Sequence, residues 1–354
     1  MKTLKKIFYH IFIDGLSGMA LGLFATLIIG TIIQQIGTLL GGAIGNYLFI
    51  MGKMAAAVTG AGIGVGVAVK FKESPLVIIS AATAGMMGGF ASQILSGSLL
   101  SDSAVVLSGP GEPLGAFIAA LVGIEIGHLV SGKTKIDILV TPLVSIITGS
   151  AAGLLVGPPI SAFMIWLGSL VNWGTEQQPL LMGVIVSVIM GMVLTLPISS
   201  AALGIIMDLS GLAAGAATIG CCCNMIGFAV ASYRENKIGG LLAQGLGTSM
   251  LQVPNIVRKP LIWLPAIISS AILGPVGTVL FHMTGNATGS GMGTAGLVGQ
   301  IMTWQVMTAS ETPAMVLFKI ILLHFILPAA LSLLISEIMR KKNWIKPGDM
   351  KLHL

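Results

Sequence analysis

The chain has 354 residues, of which 55% are hydrophobic and only 8% are charged, and its mean hydropathy is +0.98. Soluble domains carry roughly 25% charged residues, so this composition excludes a soluble enzyme and predicts a membrane protein. The net charge of +6 comes from short basic clusters between apolar runs. Such clusters are typical of cytoplasmic loops and do not suggest a nucleic-acid interface.

The apolar runs predict an all-α polytopic membrane protein with about ten transmembrane helices. Runs long enough to cross lie near 12–36, 54–70, 75–95, 114–131, 137–157, 180–200, 208–231, 261–281 and 315–339, with a weaker glycine-rich candidate near 286–306. Segments 37–50 and 158–178 are broken by Gly or Pro and carry aromatic residues. These two segments are predicted to lie on the membrane surface or to re-enter it.

The basic clusters predict the orientation of the chain. They fall on one side if the spans alternate, and they are Lys2/Lys5/Lys6, Lys70/Lys72, Lys133/Lys135 and Arg340/Lys341/Lys342. By the positive-inside rule we expect a multi-pass protein with both termini in the cytoplasm. The first apolar stretch is too long for the core of a signal peptide and is expected to be retained as a span.

An internal duplication is indicated by a glycine-rich pattern that occurs twice. Residues 81–85 and 89–91 resemble residues 216–220 and 227–229. We therefore predict a first membrane repeat at 1–135, a second at 136–281, and a C-terminal membrane segment with a short cytoplasmic tail at 282–354.

The duplication leaves two membrane arrangements open. In one, segments 96–108 and 238–253 are equivalent dips that enter the membrane and return, which leaves Arg258 and Lys259 outside. In the other, 238–256 crosses and 286–306 is the re-entrant segment. Both arrangements give about ten spans.

A carboxylate lies in a stretch that cannot form a regular helix, Ser108–Gly115. Prolines lack an amide proton and glycines adopt left-handed backbone angles, so the backbone around Glu112 loses helical hydrogen bonds. Such backbone is tolerated at membrane depth only where it is buried in protein or lines a watery cavity. We predict substrate binding by Glu112 and its neighbours Gly109, Gly111 and Pro113; the alternative is a solvated turn at the membrane surface.

A second polar stretch runs from Asn286 to Thr294 and brings small hydroxyls and bare backbone amides together. We predict that Asn286, Thr288 and Ser290 bind substrate, together with Glu311 in the Pro-broken segment that follows. The alternative for residues 286–294 is a flexible loop.

Other groups that could carry chemistry are few. Glu125 and His128 share a helix face and could pair at a cytoplasmic helix end, and Cys221, Cys222 and Cys223 are expected to be packing residues. The chain has no catalytic constellation, and we predict no metal site and no cofactor.

The pattern Gly109-x-x-Glu112-Pro113 resembles the Gly-Ile-Thr-Glu-Pro signature of the membrane-spanning IIC components of the bacterial sugar phosphotransferase system. The whole chain is similar to the divergent branch that includes the perfringolysin regulator. In the better-known families the Glu contacts the sugar, usually in the C-terminal half and beside a His from an earlier helix. Here Glu112 lies in the first half and His128 and His282 follow it, so the role of Glu112 is implied and a pairing with His is not.

The resemblance implies a permease for a sugar or a similar small polar solute, phosphorylated by a separate cytoplasmic IIB protein. No soluble domain here bears a phosphoryl-accepting Cys or His, so the chain is at most the membrane component of a sugar phosphotransferase. The expected partners are the solute, the IIB protein, the lipid bilayer and a second copy in a homodimer, with no nucleic acid. Two alternatives are a membrane-embedded sensor that does not transport, and an uncoupled carrier of an organic anion or ion.

Overall fold

The computed structural model describes residues 9–101, 104–107 and 109–352. The predictions for Lys2, Lys5, Lys6 and Ser108 lie outside these residues. The described part is almost entirely helical, and the strands Leu100–Ser101 (β1) and Ala104–Val105 (β2) form a short antiparallel hairpin. This confirms the all-α prediction. Internal contacts divide the chain into two compact units that meet in sequence between Met164 and Ile165.

The helices follow the apolar runs of the sequence. In chain order they are α1 (His10–Leu40), α2 (Gly42–Ala57), α3 (Thr59–Lys70), α4 (Pro75–Gly89), α5 (Ala91–Leu95), α6 (Pro113–Val130), α7 (Asp137–Thr175), α8 (Pro179–Thr195), α9 (Ser200–Ile206), α10 (Gly211–Ala231), α11 (Tyr233–Leu242), α12 (Val253–Arg258), α13 (Pro260–Leu280), α14 (Ala287–Ser290), α15 (Val298–Met307) and α16 (Pro313–Lys341).

Six helices of the described part are long and apolar enough to cross a membrane, namely α1, α6, α7, α10, α13 and α16. Helices α2 and α3 pass the same test as a pair bent by 54°. These helices confirm a polytopic membrane protein, and the predicted count of ten spans is not confirmed.

The first unit is built on α3, α4, α6 and the first part of α7, which pack through glycines. A Cβ atom on Gly60 would lie 2.6 Å from the carbonyl oxygen of Gly85, and one on Gly149 would lie 2.7 Å from that of Ala119. The connections α3–α4 and α6–α7 lie at one end of this unit, because Ser74 Oγ and Ser131 Oγ are 2.8 Å apart. We call it the basic end of the first unit, since the two predicted lysine clusters of these connections lie there.

Two ion pairs fix the basic end. His10 Nε2 lies 2.8 Å from Glu125 Oε1, and His128 Nδ1 lies 3.0 Å from Glu73 Oε2. The predicted pairing of Glu125 with His128 is therefore wrong. Glu125 pairs instead with His10 of α1, and His128 pairs with Glu73 in the connection between α3 and α4.

The second unit repeats the order of the first, with α8, α10, α13 and α16 in place of α3, α4, α6 and α7. In the two aligned patterns Gly85 corresponds to Gly220. Gly85 contacts Gly60 of α3, and Gly220 contacts Ser187 of α8. This common order is what a duplication would produce. The division of the chain at 135/136 and 281/282 stays a prediction.

Residues 232–259, called here the first re-entrant segment, begin and end at one end of the second unit. Near its beginning, Glu235 accepts hydrogen bonds from Arg340 and from the amide of Gly348. At its end, Lys259 Nζ lies 3.1 Å from Asp349 Oδ2. Arg340 ends α16 and the other two partners belong to the C-terminal tail, residues 342–352, so this end is called the tail end.

Residues 281–312, the second re-entrant segment, begin and end at the opposite end of the same unit. A single ammonium group, Lys319 Nζ, donates to the Phe281 carbonyl oxygen at 2.8 Å and to Glu311 Oε1 at 2.7 Å. The two re-entrant segments touch inside the unit, where Thr294 Oγ1 donates to the carbonyl oxygen of Gly245.

Residues 196–210 form a return segment that the sequence does not predict. Helix α8 begins at Pro179, whose carbonyl oxygen accepts a hydrogen bond from Thr278 near the end of α13. Helix α10 begins at that same end, because Gly211 pairs with Gly285. The chain between α8 and α10 therefore runs back through the unit, partly as the seven-residue helix α9.

The return segment corrects both sequence-based arrangements. With it in place, 238–256 and 286–306 both belong to re-entrant segments, and neither crosses. Arg258 and Lys259 then share the tail end with Arg340 and Lys341, as the positive-inside rule asks.

Three further predicted segments have the following structures. The described residues of segment 96–108 contain the β1–β2 hairpin, in which the Val106 amide donates to the Leu99 carbonyl oxygen at 2.9 Å, and its predicted dip into the membrane stays a prediction. Segment 37–50 is mostly helical, broken at Gly41 with φ of 62°. Segment 158–178 mostly continues α7 through Pro158 and Pro159, since membrane helices tolerate proline where neighbouring groups satisfy the backbone.

Glycine packing gives the first testable prediction. A Cβ atom on Gly220 would overlap the carbonyl oxygen of Ser187, whereas one on Gly239 would meet nothing within 4 Å. We expect Gly220→Ala to destabilise the protein by about 1–3 kcal/mol through overpacking, and Gly239→Ala to leave it unchanged or slightly more stable. Thermal unfolding in detergent measures both, and equal melting temperatures would contradict the contact.

The re-entrant geometry gives the second prediction. Single cysteines introduced at Ile238 and Lys342 should react with impermeant thiol reagents from the same side of the membrane, and one at Thr312 should react from the other side. The native protein is the unlabelled control, because Cys221, Cys222 and Cys223 are fully buried. Reaction of Ile238→Cys and Lys342→Cys from opposite sides would show that the first re-entrant segment crosses.

Candidate functional site

The predicted residues around Glu112 form one compact turn in the first unit. Gly109 and Gly111 have φ of 77° and 76°, a left-handed conformation that favours glycine. A Cβ atom on Gly111 would also lie 2.9 Å from the carbonyl oxygen of Gly89. The backbone of this turn is therefore held directly against the end of α4.

Glu112 is placed at the start of a membrane-spanning helix. Its amide donates to the Gly89 carbonyl oxygen at 2.7 Å, and its carbonyl oxygen accepts from the amide of Ala116 at 3.0 Å. Pro113 occupies the first helical position, where a missing amide proton costs nothing. The half-buried carboxylate thus sits at the positive end of the α6 dipole, which favours a negative charge there.

The second group of predicted residues lies in the second unit, against the middle of α10. Thr218 Oγ1 and Cys221 Sγ approach the carbonyl oxygens of Gly289 and Ser290 at 3.4 and 3.7 Å. Since α10 is long enough to cross the membrane, the irregular backbone of residues 291–297 lies near the midplane. Broken backbone at this depth needs protein or a polar cavity around it.

The three predicted polar residues of this stretch differ in their hydrogen bonds and exposure. Asn286 caps α14, since its Oδ1 accepts from the Gly289 amide at 3.0 Å. Ser290 is fully buried and its hydroxyl donates to the Ala287 carbonyl oxygen at 2.8 Å. Thr288 is exposed. The structure therefore brings them together, with Thr288 the freest to meet a ligand.

Glu311 is separate from these residues. It lies at the end of the second re-entrant segment and pairs with Lys319, whose side chain is only 12% exposed. The pair holds both ends of the segment together. The structure thus gives Glu311 a positioning role, and its predicted contact with substrate stays a prediction.

Sequence reasoning missed a buried polar network around Asn224. The Trp263 indole nitrogen donates to Asn224 Oδ1 at 2.8 Å, and Thr195 Oγ1 does so at 3.1 Å. The Asn224 amide nitrogen donates to Gly220 O and to Ser270 Oγ. The network joins α8, α10 and α13. A lone asparagine in an apolar run was its only sequence signal.

Sequence reasoning also missed three buried polar atoms that have no hydrogen-bond partner among the described residues. They are Gln300 Oε1, Thr303 Oγ1 and His324 Nε2. Gln300 and Thr303 are three apart on α15, and Gln300 Nε2 lies 3.1 Å from His324 Nδ1. All three groups therefore lie in one neighbourhood of the second unit.

The chemistry of this neighbourhood follows from the hydrogen bond between Gln300 and His324. An amide nitrogen only donates, so His324 Nδ1 accepts and the ring proton is on Nε2. The three atoms then offer a donor at His324, an acceptor at Gln300 and a hydroxyl at Thr303. His324 also lies in a π-helical turn, Ile321–Ile326, a feature frequent at functional sites.

Charged side chains of the second unit lie in its connections and at the helix ends. At the tail end Arg340 pairs with Glu235 and Arg234 pairs with Glu337, and at the opposite end Lys319 pairs with Glu311. Between them the buried polar residues are uncharged Ser, Thr, Asn, Gln and His. Within the described residues no cluster of His, Cys, Asp and Glu could hold a metal ion.

Comparison with known proteins gives the family. No curated protein matches the chain. The family model described as the phosphotransferase system, EIIC, matches residues 13–352, which is nearly all of the chain. The chain therefore belongs to the EIIC family of the phosphotransferase system and is a multi-pass membrane permease of that type.

Proposed function

We propose that this chain moves an uncharged, hydroxyl-bearing solute of the sugar type across the bacterial plasma membrane and passes it to a cytoplasmic IIB protein for phosphorylation. The observation that carries the proposal is the family match over residues 13–352. Both termini are cytoplasmic in this proposal, because the basic connections of each unit then face the cytoplasm.

The interior of the second unit supports a neutral solute. An organic anion held away from water would need a fixed cation beside it, and the described cations of this unit lie at its two ends. Hydroxyl groups need only neutral donors and acceptors, which Ser, Thr, Asn, Gln and His supply. The carrier of an organic anion or ion is therefore the less favoured alternative.

The three buried polar atoms of Gln300, Thr303 and His324 also favour a neutral solute. Leaving a buried donor or acceptor unsatisfied costs about 1–3 kcal/mol per group. A hydroxyl group can donate to Gln300 Oε1 and accept from His324 Nε2–H. A solute with several hydroxyls would recover part of this cost, and a charged solute would not match the neutral groups.

Glu112 is the second element of the proposal. We propose that its carboxylate accepts hydrogen bonds from solute hydroxyls, with Gly109, Gly111 and Pro113 shaping the turn that presents it. The short hydrogen bond from the Glu112 amide to the Gly89 carbonyl oxygen and the close approach of the Gly111 backbone to that oxygen support the role, because they fix the backbone that carries the carboxylate. Within the second unit, Asn286, Thr288, Ser290 and Glu311 are separately proposed to bind or position the solute.

The third prediction tests the function itself. Purified protein in lipid vesicles should take up one or more labelled neutral hexoses or hexitols, and a phosphorylated IIB protein inside the vesicles should convert them to phosphate esters. Vesicles with unphosphorylated IIB are the control. Specific binding of a sugar without uptake under either condition would favour the sensor. Uptake that depends on an ion gradient and not on IIB would favour the uncoupled carrier.

The fourth prediction concerns Glu112. Glu112→Gln keeps the shape of the side chain and removes the charge-assisted hydrogen bonds, which contribute on the order of 1.5–3 kcal/mol. Sugar affinity should fall by roughly ten- to a hundredfold, measured by equilibrium binding. Expression should change little, because removing a half-buried charge relieves desolvation.

Glu125→Gln is the matched control. Glu125 lies on the same helix but pairs with His10 at the basic end of the first unit, so its substitution should leave affinity within about a factor of two. Loss of binding in Glu125→Gln with none in Glu112→Gln would remove Glu112 from the site.

A further inference from the structure

The C-terminal tail, residues 342–352, lies against the tail end of the second unit and consists of turns and extended chain. Two of its side chains, Ile345 and Met350, are buried in a core cluster with Phe228 of α10 and Trp263 of α13. Most of the other tail residues are exposed. Segments that are held by few buried apolar contacts open most readily, so the tail is the part of this end best suited to move.

Side-chain amides of the first re-entrant segment bind the backbone of the tail. Asn236 Nδ2 donates to the Met350 carbonyl oxygen at 2.8 Å, and Asn236 Oδ1 accepts from the Leu352 amide at 2.8 Å. Gln252 Nε2 and Asn255 Nδ2 donate to two consecutive tail carbonyl oxygens, each at 3.0 Å. The tail is therefore bound by the same kind of neutral donor that would bind a small polar ligand.

These amides are the outer end of a buried polar row. Gln252 Nε2 also donates to Gln244 Oε1 at 2.8 Å, and Gln244 Nε2 donates to the Ser232 hydroxyl at 2.9 Å. The residue after Gln244, Gly245, accepts a hydrogen bond from Thr294 of the second re-entrant segment. A series of neutral polar groups therefore runs from the tail to the place where the two re-entrant segments touch.

The tail closes this row at the tail end of the unit. Gln252 and Asn255 are buried, and a buried donor without a partner is costly. What the two amides would lose with the tail is a pair of carbonyl oxygens, and a solute hydroxyl supplies an acceptor of the same kind. A hydroxyl-bearing solute can therefore replace the tail on these amides and leave no buried donor unsatisfied.

We propose that the tail is a gate at the cytoplasmic end of the second unit. While docked it blocks the exit, and when it undocks the solute takes its place on Gln252 and Asn255. The proposal rests on the proposed function, which supplies both the orientation of the unit and the class of solute. The contrasting role is a fixed cap, which would stay docked at every step of transport.

The fifth prediction tests the gate by locking the tail in place. Lys259→Cys with Asp349→Cys replaces the ion pair that holds the docked tail by two thiols, which a short bifunctional methanethiosulfonate joins reversibly. In vesicles that contain the full-length protein, this bridge should abolish sugar uptake, and reduction with dithiothreitol should restore it. Unchanged uptake in the bridged protein would show a fixed cap and overturn the gate.

Arg234→Cys with Glu337→Cys is the matched control. This ion pair lies at the same end and joins α11 to α16 through Arg234 Nη2 and Glu337 Oε2, 3.0 Å apart, without a tail residue. The same reagent there should leave uptake unchanged. Loss of uptake with both bridges would reflect a general need for motion at this end and would count against the gate.

A second measurement does not depend on transport. Gln252→Cys places a thiol beneath the tail, and a thiol reagent should modify it slowly but faster than the native cysteines, which are fully buried. Adding Met350→Ala should raise the rate by roughly tenfold or more, because the tail loses its buried side chain. An unchanged melting temperature shows that the rate reports the tail and not global unfolding.

This measurement also separates the gate from the proposed function. If the wild type takes up no sugar, the proposed function fails, and the reactivity of Gln252→Cys then decides whether the tail opens. A thiol at this position that stays as inert as the native cysteines, with and without Met350→Ala, would show that the tail remains docked.

Discussion

Backbone amides and carbonyls that leave a helix inside a membrane need partners, and the second unit depends on how it meets this constraint. Side-chain amides of the first re-entrant segment donate to the C-terminal tail: Gln252 to the Met350 carbonyl oxygen at 3.0 Å and Asn255 to that of Lys351 at 3.0 Å. On the other side, Ser200 of the return segment donates to the carbonyl oxygen of Gly291 at 2.6 Å. Each broken segment is therefore completed by another part of the chain.

Glycine supports this arrangement in two ways. Where a Cβ atom would overlap a neighbouring carbonyl, as at Gly220 and Gly22, helices come into backbone contact. In α10 that contact places the polar Asn224 within reach of α8 and α13, so close packing and the buried polar network belong to the same face. In the first unit the same kind of contact, between Gly22 of α1 and Gly62 of α3, lies beside an apolar groove. One residue type thus gives close helix packing in both units.

Composition and apolar runs predicted the membrane class and most helices, because these depend on properties summed over many residues. The family was predicted from the resemblance of the Gly109-x-x-Glu112-Pro113 pattern to a known signature. The positive-φ turn at Gly109 and Gly111 was also predicted, since local backbone chemistry is readable from Pro and Gly. The return segment was not, because residues 196–210 look like the end of one span and the start of the next. The partners of Glu125 and His128, and the group near His324, depend on contacts between distant residues. No local pattern specifies those contacts.

The placement of charge in the second unit bears on the energy source for transport. Its described ionic side chains lie in connections and near its two ends, and the buried polar side chains between them are neutral. The membrane potential does work of about 2.3 kcal/mol per elementary charge per 100 mV, so an uncharged solute moving past neutral groups draws nothing from it. Without a coupled ion, such a solute is accumulated only if it is changed chemically on arrival. Addition of a charged phosphate on the cytoplasmic side would make the return path through this neutral interior unfavourable.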